Sequence, residues 1–422
     1  MGLLLAIAIL TSFYLTPVAM RLAWKYDAVS RPDGFRKKHS RPTPAWGGLA
    51  VNASILLGLA FSYCLLPPSS GDVPFHAALA VSVVILGLLG CYDDLFDMRA
   101  GIKLAGQFLS VVPLVAVGVY VERFSVFGFT FELGCLGIPW TIAWIILGIN
   151  AWNLIDGMDG LASTLGITVA AIVAVLAGIA GNTSVAVLAV VLAGALGGFL
   201  AHNLPPARVY LGDCGSMVIG LVLATLAFRV VPQPGTPNLP VMIALLFVPL
   251  YDTVLAILRR GLNGRGIMTA DREHIHHRLL DRGLSVWASL TLLAALNLTA
   301  GVAGYFAILM GQEFIAVAVL VAVASVCVQL DLFGRQEWTA VIGRLRPPRW
   351  SARLGASMPL LRKRSDGGVL FSTAHEVGTR RKQLDRLSRS KPGVSVGIDV
   401  RMAGAPRAHA ATTGKEYVEL LS

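Results

Sequence analysis

Apolar stretches close to the length of a bilayer crossing recur along residues 1–331, separated by short polar connectors. A membrane-spanning helix needs about 20 mostly apolar residues. The pattern predicts eleven such spans, near 2–20, 46–66, 75–92, 104–121, 137–153, 161–180, 184–202, 214–231, 239–258, 285–308 and 312–331, with ten or twelve also compatible because several are short or carry Gly and Pro. The expected fold is an all-α polytopic integral membrane bundle over 1–334, followed by a mostly irregular tail over 335–422.

Composition supports this reading: 55% of the 422 residues are hydrophobic and 14% charged, against roughly a quarter charged in soluble domains. No basic residue precedes the first apolar run, whose first charge is Arg21, so a retained span is expected rather than a cleaved signal. The five cysteines lie far apart without a CxxC pair, which indicates no zinc site, disulfide framework or redox chemistry.

Charge sets the expected orientation. Lys and Arg concentrate in the connector after the first span and in the one after the ninth, whereas the even-numbered connectors hold only Arg123 and Arg229. Positive charge collects on the cytoplasmic side, which puts the odd connectors, and with an odd span count the tail, inside. Most acidic residues of the membrane region lie on the same side, although that rule gives acids no preference. A metal-binding polyanion site would account for them. The tail carries most of the net charge of +11, which suits a flexible segment against anionic headgroups or a small partner-binding element around His375–Arg389.

The odd connectors carry the candidate chemistry. The first reads RPDGFRKKHSRPTPAWGG, a cationic segment with Lys37, Lys38, His39 and Arg41. The third places Asp93 and Asp94 directly after an apolar run, where ionised groups cost about 2.5–3.5 kcal/mol, and Lys103 opens the next span. The fifth spaces Asn150, Asn153, Asp156 and Asp159 three residues apart; such spacing holds side chains near one helix face, although Gly157 and Gly160 argue against continuous helix. Carboxylate and amide oxygens suit Mg²⁺. The seventh presents Asp213 between glycines, beside backbone N–H groups that suit phosphate, with Tyr210 as a stacking surface for a base. The ninth gathers His274, His276, His277 and Arg278 with Arg272 and Arg282, a set closer to a phosphate clamp than to zinc.

The ordered motifs DD, NAWNLIDGMDGLA, NLPPARVYLGDCGS and HIHHRL resemble the polyprenyl-phosphate N-acetylhexosamine-1-phosphate transferases, from about Arg31 to Leu280. The resemblance implies a polytopic helical enzyme of the bacterial inner (plasma) membrane that uses Mg²⁺, with Mn²⁺ as a substitute, and releases UMP from a UDP-sugar. HIHHRL is similar to the branch that transfers N-acetylglucosamine 1-phosphate from UDP-GlcNAc to undecaprenyl phosphate for a cell-envelope glycan, although relatives with other UDP-N-acetyl sugars share similar motifs. Residue by residue, the resemblance implies a catalytic set of Asp93, Asp94, Asp213, His276 and His277. Metal ligation falls to Asp213 with Asn153 or Asp159. Lys103, Asn150, Asp156, Asp159, Tyr210, His274 and Arg278 would contact substrate.

Membrane lipids are the expected surroundings, a homodimer is left open, and nothing points to nucleic acid. Direct attack by the lipid phosphate and a two-step route through a carboxylate are both compatible with these residues. A secondary transporter would place its polar groups nearer the midplane, and a CDP-alcohol phosphotransferase would carry DGxxAR where this chain has Asp159-Gly160-Leu-Ala-Ser.

Overall fold

A computed structural model describes residues 1–31, 42–230, 236–264, 273–345, 360–363 and 369–372. The cationic segment Lys37–Arg41, Arg272 and the stretch His375–Arg389 lie outside the described residues. The chain divides into two units, Met1–Ile342 and Gly343–Ser422.

The first unit is helical. Its elements are α1 (Gly2–Lys25), α2 (Gly47–Leu65), α3 (Val73–Phe96), α4 (Ala100–Ala116), α5 (Gly137–Ile155), α6 (Leu161–Ile179), α7 (Thr183–Asn203), α8 (Asp213–Arg229), α9 (Leu239–Leu245), α10 (Phe247–Leu262), α11 (Ile275–Asp281), α12 (Val286–Met310) and α13 (Glu313–Gln329); α14 (Arg335–Leu345) follows and runs past the unit's end. Helix forms in every one of the eleven expected apolar stretches. Among the described residues seven helices are long and apolar enough to cross a membrane, or eight with the bent pair α9–α10 as one span, while α4 and α13 are shorter apolar helices. The protein is therefore a polytopic helical membrane protein. The ninth stretch is not one rod: α9 and α10 meet at an angle of 92°.

Helix α8 is the hub of the unit. Every residue from Cys214 to Phe228 is buried, and the helix packs against α2, α3 and α5. Faces of α1, α4 and α13 turn Leu10, Tyr14, Phe108, Leu109, Phe314 and Val321 outward, as helices bordered by lipid do. Small residues let the helix ends converge. A Cβ placed on Gly90 would fall 2.3 Å from the Cys214 Cα, so α3 and α8 touch backbone to backbone and the last turn of α3 reaches the first turn of α8.

Short strand pairs trim the connectors: β1 (Val29–Ser30) with β2 (Thr43–Pro44), and β3 (Arg123–Val126) with β4 (Phe129–Glu132), both antiparallel. In the second unit, β5 (Leu360–Lys363) pairs antiparallel with β6 (Val369–Ser372).

Candidate active site

The end of α3, the start of α4, the end of α5 and the start of α8 meet at one point. Lys103, in the first turn of α4, bridges all of them. Its ammonium lies 2.7 Å from Asp93 Oδ2, donates to Asp213 Oδ2 and donates to Asn153 Oδ1 at 3.3 Å. Asn153 Nδ2 donates to Asp213 Oδ1 at 2.7 Å and to Ser216 Oγ at 3.1 Å. Asp93 is fixed in turn by the Met98 N–H, 2.7 Å from its Oδ1.

Asp94 faces the same helix start from the other side. Its Oδ1 accepts from the Asp213 backbone N–H at 2.9 Å and its Oδ2 from Cys214 N–H at 3.4 Å, so it occupies the role of an N-terminal cap lent by another helix. Gly212, with φ +71°, makes the turn possible; a Cβ there would meet the Ala45 carbonyl at 2.0 Å and the Asp94 carboxylate at 2.7 Å.

The regularly spaced oxygens of the fifth connector part company. Helix α5 stops at Ile155, so Asn150 and Asn153 are helical while Asp156 and Asp159 lie in the turn before α6. Asn150 pairs with Gln107 of α4 (Nδ2 to Oε1, 2.8 Å) rather than with Asp213. Asp159 Oδ2 accepts from Ala207 N–H at 2.9 Å, tying this turn to the seventh connector. Burial, together with the charges of Asp213, Asp94 and Asp159, pushes the Asp156 carboxyl well above the usual carboxylate range. Tyr210 stands beside this turn, its phenol raised by burial despite a hydrogen bond to Thr43.

The ninth connector docks onto the fifth. His276 is buried, and a Cβ on Gly157 would sit 2.1 Å from its Nε2, so the imidazole rests directly on the Asp156–Asp159 turn. Neither of its ring nitrogens has a hydrogen-bond partner among the described residues. It lies between His274 and His277, with ring centroids 6.0 and 4.2 Å away. Burial, then the neighbouring His277 and His274, holds its pKa well below the ordinary histidine value. His274 is anchored through Nδ1 to Asp252 Oδ2 at 2.9 Å, and Asp252 Oδ1 also accepts from Ile275 N–H at 3.0 Å. Arg278 turns to Glu337 of α14 and to Glu273.

Gln107, Ser216, Asp252 and Glu337 were not singled out from the sequence. Gln107 and Asp252 could have been, because each interrupts an apolar run, where a polar group needs a partner. Ser216 closes the motif NLPPARVYLGDCGS without a role of its own there, and nothing local marks Glu337.

Among the described residues no three His, Cys, Asp or Glu side chains form a ready metal site. The donor set still fits a hard cation. Oxygens of Asp93, Asn153 and Asp213 already converge on one positive charge, the Lys103 ammonium, and burial first, then the nearby Asp213, Asp94 and Asp159 carboxylates, raise Asp156 beside them.

Residues 76–231 match glycosyl transferase family 4. A Bacillus subtilis protein named as a probable undecaprenyl-phosphate N-acetylglucosaminyl 1-phosphate transferase is 35% identical over 282 residues, covering 66% of this chain and 77% of the relative. The chain belongs to glycosyl transferase family 4. Within that family it is also similar to the Mycobacterium tuberculosis decaprenyl-phosphate N-acetylglucosaminephosphotransferase, 38% identical over 67% of this chain and 76% of the relative. The Escherichia coli O157:H7 undecaprenyl-phosphate alpha-N-acetylglucosaminyl 1-phosphate transferase is 29% identical over 71% and 82% respectively. The matched segment 76–231 contains Asp93, Lys103, Asn153 and Asp213, so family membership and the Lys103-centred cluster fall on the same stretch.

Proposed function

We propose that this family 4 enzyme transfers N-acetylglucosamine 1-phosphate from UDP-GlcNAc to undecaprenyl phosphate, giving the lipid-linked diphosphate sugar and UMP as the first membrane step of a cell-envelope glycan. The carrying observation is the meeting of Asp93, Lys103, Asn153 and Asp213, with His276 docked on the Gly157 turn that follows the helix carrying Asn153. The charge asymmetry of the connectors supports a site on the cytoplasmic face of the bacterial inner membrane, in a bundle of about eleven spans.

Bound Mg²⁺ would be held by Asp213 and Asn153 and would neutralise diphosphate charge. The chain's own residues do the positioning. Phosphate monoesters have a second pKa of about 6, so the acceptor phosphate arrives largely as a dianion and needs little base. Lys103 supplies a positive charge at the point where acceptor and donor phosphates meet, and Asp93 keeps it aimed there. His276, with both nitrogens available in a buried setting, faces the developing charge on the transferred group, where preorganised donors act most strongly. Tyr210 offers a ring to the uracil. Direct attack of the lipid phosphate on the β-phosphorus needs no further group.

The experiment is transfer of label from a panel of UDP-N-acetyl sugars into lipid extracts, using purified protein with undecaprenyl or decaprenyl phosphate. Label should enter lipid from UDP-GlcNAc ahead of the other donors. A stronger signal from another donor would move the substrate assignment, and label in no lipid would remove the transferase reading.

A further inference from the structure

Helix α14 begins beyond the last apolar helix and outside the motif region, yet its first turn is latched into the active-site wall. Glu337 is 2% exposed, and both of its oxygens are used. Arg259 of α10 donates to Oε1 at 2.5 Å. Arg278 of α11 donates to Oε2 at 3.1 Å through Nη1 and to Oε1 through Nη2. Trp338, the next residue, donates its indole N–H to the Tyr251 hydroxyl of α10 at 3.3 Å.

These contacts matter because α11 is only seven residues long and carries His276 and His277. A helix that short has no stability of its own, so its place is set by what grips it. Asp252 holds its N-terminal end through His274 and the Ile275 N–H. Arg282, just past its C-terminal end, pairs with Asp331 at 2.9 Å, but both side chains are substantially exposed, and such pairs contribute little. Glu273 also reaches Arg278, from a side chain 54% exposed. Among the described residues, Glu337 is the buried carboxylate that grips Arg278, at the middle of α11.

We infer that Glu337 is a positioning residue for the transfer reaction: by fixing Arg278 against Arg259 it seats α11 so that His276 rests on the Gly157 turn. The inference rests on the transferase reading above. Glu337 touches no reacting atom; it acts through Arg278 and the α11 backbone.

The test compares wild type with Glu337→Gln, Glu337→Asp and the double variant Glu337→Met/Arg259→Met. Removing one partner of a buried pair can unfold a protein, whereas replacing both with apolar groups is often tolerated; the double variant therefore separates fold from seating. The expected result is kcat lowered about 10–100-fold, the size that a misplaced group produces, with KM for the UDP-sugar within about threefold, the pattern of an interaction felt in the transition state. Glu337→Asp should recover part of the loss. Amide hydrogen exchange across 275–281 should rise in Glu337→Gln, a readout independent of any substrate, so an inactive wild type would discard the transferase reading while still testing the seating of α11. A folded variant that lacks the carboxylate and keeps kcat within twofold would overturn the inference. So would unchanged exchange, or loss of fold in both the Gln and double variants, which would make Glu337 a stability element only.

Discussion

Asp94 on α3 and Asp213 on α8 are joined through the backbone: the Asp94 carboxylate accepts the Asp213 N–H at 2.9 Å, while the Asp213 carboxylate turns away toward Lys103 and Asn153. One acid of the Asp93–Asp94 pair thus sets the helix start, and the other pairs with the lysine that meets it. The two adjacent aspartates divide positioning and charge between them.

Asp94→Ala should therefore act through Asp213. Two N–H groups at the start of a buried helix would lose their acceptor, a loss of about 1–3 kcal/mol each when unsatisfied. Thermal unfolding in detergent should show the lowered Tm, and UMP release should fall along with it. An unchanged Tm would mean that α8 starts without help from α3.

Lys103→Met leaves Asp93 and Asp213 facing each other without a cation. Breaking a buried ion pair costs roughly 3 kcal/mol or more, so Tm should drop. Added MgCl₂ should raise the variant's Tm more than that of the wild type, because a divalent cation then takes the place of the ammonium. No Mg²⁺ response in the variant would remove these oxygens from the cation site.

Much of this was legible in the sequence. The apolar runs placed every long helix, because lipid requires each span to satisfy its own backbone. The break between α9 and α10 was not visible, since Leu245, Leu246 and Phe247 continue the apolar run without interruption and tertiary packing sets the bend. The acids of the odd connectors stood out because charge at a span end is costly. Which oxygens share a cation did not: three-residue spacing suggested one face for Asn150 through Asp159, but α5 ends at Ile155 and sends Asn150 to Gln107 and Asp159 to Ala207. The pairing of Arg278 with Glu337 joins residues 59 apart, a register that no local pattern encodes.

Gly157→Ala would put a methyl group 2.1 Å from His276 Nε2. Something must move, and α11 is the shorter element. Overpacking of this kind costs about 1–3 kcal/mol, and a shift of about 1 Å at a reacting group lowers rate on the order of 100-fold. Steady-state kinetics should show the loss mainly in kcat. Wild-type turnover would show that the ninth connector works elsewhere.

Stability should also depend on pH through His276. Its folded pKa is depressed, chiefly by burial, so the neutral ring's stabilisation is complete above the ordinary histidine value of about 6.5 and is lost as pH falls from there toward the depressed one. Wild type should lose more Tm between pH 7 and pH 5 than His276→Gln does. Parallel curves for the two proteins would mean that this ring is protonated as readily in the fold as outside it.

The most direct measurement is UMP release from UDP-GlcNAc by the purified full-length protein, with undecaprenyl phosphate and Mg²⁺ each present or omitted, for wild type and folded Asp213→Asn. The account predicts release by wild type only when donor, lipid and metal are all present, and at least ~100-fold less from the variant. Release that persists without the lipid, or a folded variant that matches wild type, would contradict it.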